Sequence, residues 1–91
     1  MFELTALLDL IYTYTVQAIV SPANGYEESI RFSDVDAKSV AFTPFKGENY
    51  VMVNVDWHEN LTHRGIDVVL TRQDARMVFR KVRAMEASWG L

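Results

Sequence analysis

The chain is predicted to fold as an α+β domain, with an antiparallel sheet of four to five strands in a meander and a C-terminal amphipathic helix packed on one face. Three observations predict this. Val51, Val53, Val55 and Trp57 alternate with Tyr50, Met52, Asn54 and Asp56, the period-two signature of a half-buried strand. Turn-forming residues, Ser21-Pro22-Ala23-Asn24-Gly25 and Pro44-Phe45-Lys46-Gly47-Glu48-Asn49, punctuate a run of strand-like segments. From Thr71 onward the pattern changes to a helical stripe of Ala75, Val78, Val82, Met85 and Trp89.

In chain order, residues 3–10 start a short N-terminal helix, with Leu4, Leu7, Leu8 and Ile11 on one face. Tyr12, Thr13, Tyr14, Thr15 and Val16 are β-formers, so a strand is expected near 11–20. A single helix to residue 19 is the alternative, because Ala18 extends the stripe. Proline and Asn-Gly at 22–25 supply the preset and positive φ of a hairpin turn. Strands are then expected over 27–33, 38–43, 50–57 and 65–70. A hairpin loop spans 44–49, and a polar loop runs from His58 to Arg64. Thr71 is placed to cap the last helix, Asp74 complements its positive end, and Gly90 can end it.

Ninety-one residues suit one domain, residues 1–91. A chain of this size buries only about 60–65% of its unfolded surface. Its apolar fraction of 49%, with two Trp, four Tyr and five Phe, supports a core and leaves apolar surface for an interface. A homodimer is therefore expected. There is no cysteine, hence no disulfide framework and no thiolate metal site. Glu3, Asp9 and Gln17 interrupt the apolar N-terminal residues, which also lack a signal peptide's basic region and cleavage site. A cytoplasmic location without membrane association is expected.

Net charge is −3, which opposes non-specific binding of a polyanion. The charge is uneven, however. Arg72, Arg76, Arg80, Lys81 and Arg83 face only Asp74 and Glu86 within residues 72–91, while the remainder is acidic. On a helical wheel Arg72, Arg76, Arg80 and Arg83 fall within an arc of about 80°, with Phe79 at its border with the apolar stripe. Guanidiniums so placed can bind carboxylates or phosphates in planar, bidentate fashion. The alternative is a solvated face paired with acidic residues of the chain's own strands, such as Asp67 or Asp56. Phe45, between Pro44 and Lys46, is expected at an exposed loop tip, where an aromatic can anchor a partner.

Other chemistry is discounted. His58-Glu59…His63 has one residue too many between its histidines for HExxH, and it reads as a loop, so no metal site is expected. No G-x-S-x-G elbow, Walker motif or dinucleotide glycine pattern occurs, and no catalytic residue or cofactor is expected. Aromatics at 12, 14, 32, 42, 45 and 50 lie among carboxylates that would repel a phosphate chain, which favours packing over base stacking. The function expected is a small non-enzymatic protein-interaction module, an inhibitor or adaptor such as small phage and mobile-element accessory proteins supply. Arg72, Arg76, Phe79, Arg80, Arg83 and Phe45 form its expected contact with a protein partner. The alternative is nucleic-acid binding through the arginine flank.

Overall fold

Alternating valines at 51–55 build the middle of the sheet in a computed structural model that describes residues 4–16, 20–34 and 38–86. The elements run α1 (Leu4–Tyr14), β1 (Ile30–Ser33), β2 (Ser39–Pro44), β3 (Tyr50–Glu59), β4 (Thr62–Thr71) and α2 (Arg72–Glu86). The four strands form one antiparallel meander in the order β1-β2-β3-β4. Val51, Val53 and Val55 are buried on one face with Val40 and Phe42 of β2, and with Val68 and Leu70 of β4. Both helices cover that face. Leu7 and Ile11 of α1 join Ala75, Val78 and Val82 of α2 in the same core. Strand parity puts Arg31, Asn54, Asp56, His58, His63 and Asp67 on the other face, away from both helices.

Helix α1 runs on through Tyr14, so the strand expected near 11–20 is overturned at its start. Ile11 is fully buried and Tyr14 is partly buried on the helical stripe, which outweighs local β-propensity. The threonine hydroxyls fit the helix too. Thr13 Oγ1 donates to the Asp9 carbonyl at 2.8 Å, and Thr15 Oγ1 to that of Ile11 at 3.1 Å. Beyond the helix, Val16 N–H donates to the Val69 carbonyl of β4. The rest of the expected strand, including Ala18, lies mostly outside the described residues, as do Trp89 and Gly90. Gly25 does take the positive φ its sequence suggested. Among the described residues no hairpin forms around that turn, since residues 4–14 before it are helix rather than strand.

The segment from His58 to Arg64, expected as a loop, is a strand–turn–strand. Strands β3 and β4 pair over their full length, from Tyr50 with Thr71 to Glu59 with Thr62. Asn60 and Leu61 alone make the turn, with φ of 50° and 66°. Two successive positive φ values are what a two-residue hairpin needs to match strand twist. This tip buries neither of its faces, so no apolar alternation marked it as strand. Leu61 is fully exposed there.

Candidate partner-binding surface

Strand β4 passes into α2 with no residue between them. Thr71 is the last strand residue, paired with Tyr50, and also the cap: Asp74 N–H donates to its hydroxyl at 3.2 Å. This junction fixes where the arginine flank begins. Arg72 turns inward to the β2–β3 connection, where its Nε donates to the Glu48 carbonyl at 2.6 Å. Its Nη2 donates to the Phe45 carbonyl at 2.7 Å and to Glu27 Oε1 at 3.1 Å. The first arginine of the row therefore holds the helix start to a loop.

The other three differ. Arg76, Arg80 and Arg83 are exposed, and none has an anionic partner among the described residues. The acidic strand residues named as their partners are engaged elsewhere. Asp56 meets Arg31 at 3.7 Å and His63 at 3.2 Å, and Asp67 accepts from Asn54 at 2.6 Å. Both carboxylates lie on the sheet face that α2 does not cover, so pairing with the α2 arginines does not occur.

Beside the row lies an open groove of about 230 Å³ between α2 and the β1 side of the sheet. Ile30, Phe42, Pro44 and Val51 line it from the strands, with Ala75, Phe79, Arg72 and Arg76 from the helix. Phe79 belongs to a cluster of edge-to-face rings, its centroid 5.3 Å from both Phe32 and Phe42. It is thus partly a core residue and partly a groove wall. Ile30, half exposed at the sheet edge, is a groove residue that sequence reasoning missed. Its only signal was alternation with Phe32 on a four-residue strand. Phe45 requires a correction, because it is 2% exposed rather than at an exposed tip. Tyr26 packs edge-on against it at 5.2 Å, and backbone bonds tie the loop to Gly25 and Tyr50.

Comparison with protein-family models, curated proteins and solved structures found no match. Among the described residues no helix is long and apolar enough to cross a membrane, and no group of three or more metal-ligating side chains occurs. The rings of His58 and His63, expected in a polar loop, lie 5.6 Å from one another across β3 and β4.

Proposed function

We propose that this chain is a small non-enzymatic protein-interaction module of the cytoplasm, an adaptor or inhibitor that docks an acidic partner segment against α2. The observation that carries the reading is a row of three exposed arginines, without an anionic partner among the described residues, of which Arg76 lines an apolar groove and Arg80 and Arg83 follow on the same helix. A partner carrying carboxylates beside one apolar side chain matches both parts: Arg76, Arg80 and Arg83 take the charges, and the groove at Ile30 and Phe79 takes the apolar group. Planar guanidiniums bind carboxylates bidentately, and a buried apolar anchor supplies most of the affinity in such contacts. Phe45, buried in the fold, is left out of the contact, and Arg72, tied to the Phe45 and Glu48 carbonyls, only lines the groove. A cysteine-free chain suits a reducing compartment.

The experiment is capture of binders from a lysate of the native host, with and without nuclease, using wild type and the Arg76→Glu/Arg80→Glu variant. A specific protein that survives nuclease, and whose capture falls at least about tenfold in the double reversal (about 1.4 kcal/mol), supports the reading. Loss of capture on nuclease treatment would replace it with nucleic-acid binding, because the same guanidiniums suit phosphates. Capture unchanged by the double reversal would move the interface to another surface.

A further inference from the structure

We infer that His58 and His63 form a two-histidine site for a transition-metal dication of the Cu2+, Ni2+ or Zn2+ class. In the sequence the pair is discounted because four residues, one more than in HExxH, separate the histidines in a segment that reads as a loop. The hairpin removes that ground by placing them directly opposite one another on adjacent strands. Pairs flanking a two-residue turn alternate between hydrogen-bonded and non-hydrogen-bonded, starting with Glu59 and Thr62. His58 and His63 thus take a non-hydrogen-bonded position, where side chains stand closest.

The ring geometry suits shared coordination. Metal–nitrogen bonds of about 2.0–2.1 Å at a near-tetrahedral angle put two imidazole centres roughly 5 Å apart. The observed separation is 5.6 Å, with the ring planes tilted by 51°. A second observation points the same way. His63 Nε2 lies 3.2 Å from Asp56 Oδ1, a carboxylate that Arg31 also approaches. A ligating histidine commonly gives its other ring nitrogen to a carboxylate, which fixes the tautomer and makes the ligating nitrogen more basic. His63 Nδ1 is then the ligating atom, and Asp56 is a positioning residue. His58 has no hydrogen-bond partner among the described residues, so its ring is available to the metal. Imidazole ligands with open remaining positions favour Cu2+ over Ni2+ and Zn2+. Water fills those positions, since no third protein ligand converges among the described residues.

The test uses the untagged chain with each metal in turn, reading affinity by calorimetry and Tm by circular dichroism. At a free metal concentration about tenfold above Kd, Tm should rise by roughly 5–10 °C, because the paired geometry exists only in the folded hairpin. His58→Gln and His63→Gln should each abolish the rise; both sites are exposed, so the metal-free fold should persist. Asp56→Asn should weaken affinity about tenfold or more. As a second readout, Cu2+ should broaden NMR signals of the hairpin before those of any other region. Arg76→Glu/Arg80→Glu should leave metal binding unchanged, since those residues lie on the opposite face, which separates failure here from failure of the interaction reading. Absence of saturable binding below about 1 mM would overturn the inference. So would a Tm rise that survives both histidine substitutions.

Discussion

Replacing Arg72 by alanine should cost far more stability than replacing any other arginine of the row. Its side chain is 31% exposed and makes two short bonds to backbone carbonyls, at 2.6 and 2.7 Å. Hydrogen bonds involving a charged group contribute about 1.5–3 kcal/mol each. Partial exposure argues for the low end, because water can replace part of what is lost. The ion pair to Glu27, itself 44% exposed, adds at most about 1 kcal/mol. A loss of about 3–4 kcal/mol follows, lowering Tm by roughly 10–30 °C in a domain of this size. Arg76→Ala and Arg80→Ala should stay within about 0.5 kcal/mol, as exposed side chains without an anionic partner among the described residues. Urea denaturation followed by far-UV circular dichroism measures all three. If Arg72→Ala matched the other two within about 0.5 kcal/mol, the view of Arg72 as the clamp on the start of α2 would be wrong.

Two further substitutions probe the hairpin. Leu61→Gly should raise stability by about 0.5–1 kcal/mol in the same assay, because it relieves a left-handed leucine and creates the favoured Asn-Gly turn. A loss would mean that Leu61 packs against something in solution. Gly65→Ala should destabilise by about 1 kcal/mol, since its Cβ would lie 2.6 Å from Asp56 Oδ1 and would push that carboxylate from His63 and Arg31. Movement of the His63 ring signals by NMR should accompany the loss, and unchanged signals would count against the seating of Asp56 over Gly65.

What could be read from the residues alone followed how much each segment buries. Val51–Val55 and the stripe from Ala75 to Val82 each bury one face against the same core, so their periods of two and 3.6 were visible. The capping role of Thr71 was visible too, since it depends on local chemistry. Where burial was absent or came from afar, the pattern failed. The tip from His58 to Arg64 is strand by pairing alone, held by backbone bonds that leave no mark on side-chain polarity. Tyr12, Thr13 and Tyr14 prefer strand locally, and the burial of Ile11 and Tyr14 overrides that preference. Phe45 looked like a loop anchor because Pro44 and Lys46 flank it, yet Tyr26, nineteen positions earlier, covers it. The arginine flank was legible as a flank. The separate task of Arg72 was not, because its two shortest bonds go to main-chain oxygens that any residue could supply.

The direct passage of β4 into α2 bears on how the groove can adapt. A hinge needs element-terminal residues free to change φ and ψ. Here Thr71 is pinned by its pairing with Tyr50 and by its bond to Asp74, and Arg72 N–H donates to the Asn49 carbonyl. The helical wall of the groove is therefore a fixed jaw. The opposite jaw is Ile30 on β1, a strand of four residues that pairs along one side among the described residues. Any widening to admit a larger side chain falls on that short strand, and its displacement breaks a four-residue ladder together with the ring contacts of Phe32 to Phe42 and Phe79. The groove opens from its sheet edge, so the size of side chain it accepts is set by how firmly Ile30–Ser33 holds to Ser39–Phe42.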